Sequence, residues 1–192
     1  MFKVAVIGTG YVGLTTAIGL ASLGHEVVGY DIDPSKVDQL KAGILPIYEP
    51  GLEQMLTDAL ATGKLRATSK LSEALADAEF VFTCVPTPQD EDGSADLSYV
   101  IAASQEMKDL LAPGAIVVTK STVPIGSASQ VEDSIGRADV HVASNPEFLR
   151  EGAAVIDFKN PDRIVVGARS ADVAQRVMDL YAAIDCPKVL TS

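Results

Sequence analysis

A chain of 192 residues with 47 % hydrophobic content is long enough for one domain with a substantial core. Its formal net charge of −11 argues against nucleic acid and anionic membrane as main partners, although a few backbone amides and one or two cations can still hold a small anionic ligand locally. Two cysteines, Cys84 and Cys186, are too few for a disulfide framework or a metal cluster.

The N-terminal "MFKVAVIG" is a short β-branched run ending in glycine and has none of the layout of a secretion signal. It reads as a strand that enters "GTGYVG", where Gly8, Gly10 and Gly13 precede the helical pattern "TTAIGLASL". Strand, glycine turn and helix in this order form a phosphate-binding unit. Gly8 permits the tight turn, Gly10 leaves room for a pyrophosphate, and Gly13 lets the helix pack close to the strand. The helix N-terminus then offers free N–H donors to the anion. The next strand, "EVVGYD", ends at Asp31, 18 residues past Gly13, where a carboxylate can accept hydrogen bonds from adenosine ribose hydroxyls. An acid there repels a 2′-phosphate, which favours NAD over NADP; Lys36 is a nearby cation that can soften the preference.

Helical patterns follow at "PSKVDQLKAG", "GLEQMLTDALATG" and "LSEALADA", then a strand at "FVFTCV". The polar stretch "PTPQDEDGSAD" reads as a solvated loop. Beyond it come the helix "LSYVIAASQEMKDLL", the strands "AIVVTK", "DVHVA" and "RIVVG", the helix "SADVAQRVMDLYAAI" and a last short strand in "CPKVLTS". Continuously apolar strands separated by helices predict an α/β protein with a Rossmann-like doubly wound, mainly parallel sheet and helices on both faces. No apolar run approaches the roughly 20 residues that span a bilayer, so a cytoplasmic protein without a membrane partner is expected.

Ligands of such folds sit beyond the carboxyl ends of the strands, which directs attention to "VPTPQDEDG", "KSTVPIG" and "SNPEFLREG". The last carries Glu147 and Glu151 four residues apart. With Asn145 as N-cap and Pro146 as first helical residue, the two carboxylates would share a helix face, at a cost of roughly 0.2–0.5 kcal/mol. A plainer reading is that they favour the helix macrodipole and that Arg150 neutralises one of them. His25 and His141 read as structural. Lys120 and Arg163 supply either positive charge near a phosphate or ordinary ion pairs, and no metal-ligand spacing is present.

Taken together, "AVIGTGYVGL", "LPIYEPGL", "VPTPQDEDGSADLSYV", "KSTVPIG" and "NPEFLREGAAVIDFKNPDRIVVG" resemble the UDP-glucose 6-dehydrogenase family, within the wider group that includes GDP-mannose and UDP-N-acetyl-sugar enzymes. The resemblance runs from Met1 to about Leu190. It implies oxidation of the sugar C6 alcohol to an acid in two hydride transfers to NAD, by way of a cysteine-bound thiohemiacetal and thioester. By the same resemblance, Gly8, Gly10, Tyr11, Val12, Gly13, Asp31 and Lys36 would hold the adenosine and pyrophosphate. Val85, Pro86, Thr87, Ser121 and Thr122 would line the rest of the NAD channel, with Thr122 close to the reacting centre. Phe148, Leu149, Arg150 and Glu151 would meet the UDP-sugar, partly through main-chain groups, in which case the stretch is an irregular turn and not a helix. Glu147 and Glu151 would assist proton transfer and placement of the hydrolytic water, and Glu151 would also border the cofactor.

The family's catalytic cysteine lies in a "GGSCFxKD"-type motif beyond residue 192, and neither Cys84 nor Cys186 is a convincing substitute. Residues 1–192 are therefore expected to form the NAD-binding domain of a longer enzyme, inactive alone, whose central helix and C-terminal substrate domain follow. The resemblance implies a homodimer for the longer enzyme and leaves this part free to be monomeric. Two alternatives stay open: a sister nucleotide-sugar dehydrogenase, and a free-standing NAD-binding module without catalysis.

Overall fold

In this computed structural model, which describes residues 1–88, 95–121 and 126–191, the elements follow as β1 (Lys3–Ile7), α1 (Tyr11–Ser22), β2 (Glu26–Tyr30), α2 (Pro34–Lys41), α3 (Leu52–Ala61), β3 (Leu65–Thr68), α4 (Leu71–Leu75) and β4 (Phe80–Thr83). They continue as α5 (Ser98–Met107), β5 (Ile116–Thr119), α6 (Ser127–Ile135), β6 (His141–Ser144), α7 (Ala154–Lys159), β7 (Ile164–Ala168), α8 (Ala171–Asp179) and β8 (Lys188–Thr191). The strands form one eight-stranded sheet in the order β3-β2-β1-β4-β5-β6-β7-β8. All described pairings are parallel except β6 with β7.

Alternation along the central strands explains why helices cover both faces. Val4, Val6, Phe80, Phe82, Ile116 and Val118 enter one apolar cluster together with residues of α1, α3, α7 and α8. Their neighbours Ala5, Ile7, Val81 and Val117 enter a second, closed by Leu75 of α4 and by α5 and α6. A strand buried on both sides has no polar face to display, hence the continuous Val/Ile/Phe runs. The expected Rossmann-like, mainly parallel architecture is the one observed. On the first face α7 lies close against α1, and the contact depends on Gly19: a Cβ there would stand 2.4 Å from the ring of Phe158.

Three elements escape the sequence patterns. β3 carries Arg66 and has a mixed burial pattern, as suits an edge strand. α6 buries only Ser127, Val131 and Ile135, a sparse stripe with no long apolar run to announce it. α7 has six residues and no side-chain cap of its own.

The helix suggested for "SNPEFLREG" is corrected. Residues 145–150 are irregular, a turn follows, and helix begins only at Ala154. Asn145 cannot cap because its side chain is engaged elsewhere: Oδ1 accepts from the Tyr181 hydroxyl (2.7 Å), and Nδ2 donates to the Val165 carbonyl (2.8 Å). Nor does Arg150 neutralise a neighbouring glutamate. Its guanidinium grips Asp157, with Nη2 2.7 Å from Oδ1 and Nε 3.1 Å from Oδ2.

Candidate dinucleotide and substrate site

Because β1, β2, β4, β5 and β6 are parallel, their carboxyl ends open onto one rim. The antiparallel return of β7, which pairs Ser144 with Gly167, brings both ends of the 145–163 connection to that rim as well. The glycine turn, Asp31, residues 85–87, residues 120–121 and the 147–151 segment are thus brought to the same edge. Thr122 lies outside the described residues.

Each glycine of the turn has a different physical reason. Gly8 has φ +91°, and a Cβ on it would sit 2.8 Å from the Cys84 carbonyl oxygen. Gly13 lies so close to the Gly8 carbonyl that a Cβ would come within 1.8 Å of its oxygen. Gly10, the N-cap of α1, has an ordinary extended backbone (φ −71°, ψ −167°), and no atom would lie within 4 Å of its Cβ. The fold therefore does not require glycine at position 10. The space leaves the backbone open to a ligand, and α1 presents its first-turn amides there with no side-chain cap. Tyr11 and Val12 open that helix. This open cradle at a helix N-terminus fits the pyrophosphate of a dinucleotide.

Asp31 sits at the end of β2 and is buried. Its Oδ2 accepts from the Thr9 amide (2.9 Å) and the Thr9 hydroxyl (2.7 Å), and its Oδ1 accepts from the Asp33 amide (3.0 Å). A carboxylate has about four acceptor positions, so capacity remains for a ribose hydroxyl. Burial pushes this carboxyl up, but the hydrogen bonds from Asp33 and Thr9, with the Lys36 charge, outweigh it and hold it below its ordinary value. Lys36 Nζ lies 4.0 Å from Asp31 Oδ2. Thr9, the unremarked residue between two glycines, is thus what fastens the turn to the acid.

On the other side of the turn, Val85 and Thr87 are half-buried and Pro86 is exposed. The Ser121 hydroxyl donates to the Val85 carbonyl (3.3 Å) and joins the segments that follow β4 and β5. Cys84 lies behind them, where burial pushes its thiol up to about 12. A thiol held protonated to that degree is not a poised nucleophile.

Residues 147–150 edge a cleft of about 490 Å³ whose lining includes Lys120, Glu147, Phe148, Arg150, Arg163 and Tyr181. Glu147 is half-buried, with Oε2 out of solvent and without a hydrogen-bond partner. Burial raises its proton affinity and the Lys120 ammonium partly opposes this. Lys120 itself is buried with its Nζ 3.4 Å from Asn145 Oδ1, and burial lowers its pKa, opposed by the Glu147 carboxylate. Phe148 is half exposed, and the Arg163 guanidinium stacks 4.6 Å from its ring centroid. Leu149 packs on the core of the first face, while Arg150 and Glu151 are exposed. His25 is structural, with Nε2 2.8 Å from the Leu180 carbonyl.

Sequence reasoning gave no role to Glu49. It belongs to "YEPGL", and its carboxylate is buried between the glycine turn and the start of α7. Nothing local marks it, because its partners lie far away in the chain.

Comparison with known proteins agrees with this geometry. Residues 2–185 match the family model for the UDP-glucose/GDP-mannose dehydrogenase family, NAD binding domain. The UDP-glucose 6-dehydrogenase of Pseudomonas aeruginosa is 47 % identical over 188 residues, covering 94 % of this chain and 42 % of that protein. The enzyme of the same name from Rhizobium meliloti is 49 % identical over 175 residues, covering 88 % of this chain and 40 % of that protein. Among solved structures, a UDP-glucose dehydrogenase from the hyperthermophilic archaeon Pyrobaculum islandicum superposes with a TM-score of 0.93 at 45 % identity, over 100 % of this chain and 46 % of that one. A GDP-mannose dehydrogenase from Pseudomonas aeruginosa gives 0.89 at 32 %, over 99 % and 46 %. The chain thus spans less than half the length of these relatives. With a match over nearly its whole length, the chain belongs to the UDP-glucose/GDP-mannose dehydrogenase family and carries its NAD-binding domain.

Proposed function

We propose that this chain is the cofactor-binding part of a longer NAD-dependent dehydrogenase that oxidises the C6 alcohol of UDP-glucose to a carboxylate. The observation that supports the reading is a single rim holding an open backbone cradle at Gly10 and, at Glu147, a carboxyl with one oxygen buried and unpartnered. UDP-glucose is preferred over a sister sugar because relatives named for it reach 47 % and 49 % identity, whereas the GDP-mannose dehydrogenase structure stands at 32 %.

In this reading Gly8, Gly10, Gly13 and the first main-chain amides of α1, those of Tyr11 and Val12, hold the pyrophosphate, and the Tyr11 hydroxyl does not touch it. Asp31 accepts from the adenosine ribose, Lys36 beside it. Val85, Pro86, Thr87, Ser121 and Thr122 flank the rest of the dinucleotide, and Glu151 borders it. When bound, NAD supplies the hydride acceptor. Glu147 holds or moves a proton at its buried oxygen beside C6, with Lys120 limiting how tightly it retains it. Phe148, Leu149, Arg150 and Glu151 line the sugar-nucleotide side, and Thr122 steadies the developing alkoxide.

The test is NADH formation by the full-length protein offered UDP-glucose, GDP-mannose and UDP-N-acetyl-hexosamines. The expected result is turnover of UDP-glucose alone with about two NADH per sugar. Glu147→Gln should lower kcat by about 10²–10⁴ while calorimetric NAD binding stays within about twofold. Preferred turnover of another sugar, or a Glu147→Gln enzyme at wild-type rate, would overturn the assignment.

A further inference from the structure

Glu49 is only 4 % exposed, and its carboxylate accepts hydrogen bonds from three protein donors. Oε2 accepts from the Tyr11 hydroxyl (2.6 Å) and from the Gly152 amide (2.8 Å), while Oε1 accepts from the Ala154 amide (2.8 Å). Burial alone would raise this carboxyl, but the hydrogen bonds from Tyr11, Gly152 and Ala154 prevail and hold it below its ordinary value. Gly152 and Ala154 straddle Ala153, the residue before α7, which provides no cap of its own. A carboxylate more than a hundred residues earlier in the chain therefore satisfies amides that every helix start leaves open. Tyr11 is at the same time the first residue of the dinucleotide helix α1, and its hydroxyl oxygen also lies 3.1 Å from the Arg150 carbonyl oxygen.

A cap alone would not need Tyr11. A brace for Tyr11 alone would not need the amides of α7. Both sets of partners meet on one carboxylate, between the end of the glycine turn and the end of the segment that bears Glu147 and Glu151. We propose that Glu49 is a positioning residue that couples the two: through Tyr11 it makes the glycine turn and the 150–154 turn one mechanical unit, so that a dinucleotide seated at Gly10 tightens the segment presenting Glu147 and Glu151. The importance of that segment for substrate rests on the function proposed above; the coupling does not.

Tyr11→Phe separates coupling from capping, since it keeps the ring and leaves Glu49 on the α7 amides. Hydrogen exchange is followed residue by residue in the full-length protein with and without saturating NAD. In wild type, NAD should slow exchange about tenfold at the turn amides 11–13 and also at Gly152 and Ala154. In Tyr11→Phe the slowing should persist at 11–13 and fall below about twofold at Gly152 and Ala154. Glu49→Gln should speed exchange at Gly152 and Ala154 about tenfold even without NAD; if that variant does not fold, Tyr11→Phe alone decides. An equal response at Gly152 and Ala154 in wild type and Tyr11→Phe would overturn the coupling, as would a wild-type response confined to the turn. Loss of the sugar assignment would leave these exchange results unchanged, so the two inferences fail separately.

Discussion

Substituting alanine at Gly10 and at Gly13 should produce opposite failures, although the two glycines belong to one motif. At Gly13 the added Cβ would stand 1.8 Å from the Gly8 carbonyl oxygen and 2.9 Å from the Gly8 carbonyl carbon. Both are backbone atoms of a turn already pressed against the Cys84 carbonyl, so neither wall can yield cheaply. Overpacking of that kind costs about 1–3 kcal/mol and more when backbone must move. Taking about 3 kcal/mol, and about 2–4 °C per kcal/mol for a domain of this size, Gly13→Ala should melt about 6–12 °C lower. At Gly10 the backbone suits an L-residue and the Cβ meets nothing. The stability change should stay within about 1 kcal/mol, since the reduced freedom of the unfolded chain offsets the weaker N-cap. With the pyrophosphate seated at Gly10 as proposed, the methyl would stand in its place, and NAD affinity should fall at least about tenfold, or about 1.4 kcal/mol. Circular-dichroism melts and calorimetric NAD titration of both variants check this. A Gly10→Ala protein that melts as low as Gly13→Ala, or that binds NAD with wild-type affinity, would refute the division between ligand-facing and packing-imposed glycine.

Two further outcomes are expected. The Asp31 carboxyl is depressed in the folded state, so its contribution is full above the ordinary carboxylate range and is lost as pH falls through the lower folded value. Asp31→Asn should therefore be less stable than wild type by about 1.5–3 kcal/mol at pH 7 in urea melts, with the gap closing towards pH 3; a gap that is constant with pH would refute this. Cys84 is partly buried with its thiol pushed up to about 12, and should react with a thiol reagent at pH 8 far more slowly than a free cysteine. Rapid modification of Cys84 in the native protein would reinstate it as a candidate nucleophile.

What the sequence showed was what is local. Strand, glycine turn and helix follow one another without interruption from Lys3 to Ser22, and the sheet's double burial is written in its unbroken apolar strands. What stayed hidden depends on distant partners. The start of α7 has no residue nearby to announce it because its cap is Glu49, and Asn145 before Pro146 looked like a helix start because its true partners, Tyr181 and Val165, lie beyond it in the chain. The four-residue spacing of Glu147 and Glu151 suggested a helix face, yet the backbone there is irregular. The notion of a rim survived that error, since it follows from the direction of β6 and not from the local conformation after it.

The reversal of β7 is what brings the 147–151 segment to the same rim as the glycine turn. A parallel β7 would require the chain after β6 to cross a face of the sheet and begin the next strand at the far end. Antiparallel pairing of Ala143 with Ala168 and Ser144 with Gly167 removes that need and leaves both ends of the 145–163 connection at one edge, while α7 packs back on the first face. Such a connection is loose unless anchored, and here each part has an anchor. Asn145 is tied to Tyr181 and Val165, Arg150 to Asp157, the start of α7 to Glu49, and Phe158 to the gap left by Gly19 on the dinucleotide helix. From Asn145 to Arg150 the backbone is free of helical repetition. In a helix, amides and carbonyls at 147–151 would be turned along the axis into each other; an irregular backbone can turn them outward, towards a ligand. The same packing that closes the first face of the sheet thus anchors the far end of the segment that bears Glu147 and Glu151, through Phe158 on Gly19 and Glu49 on Ala154, and the proposed proton-handling role of that segment needs such anchoring.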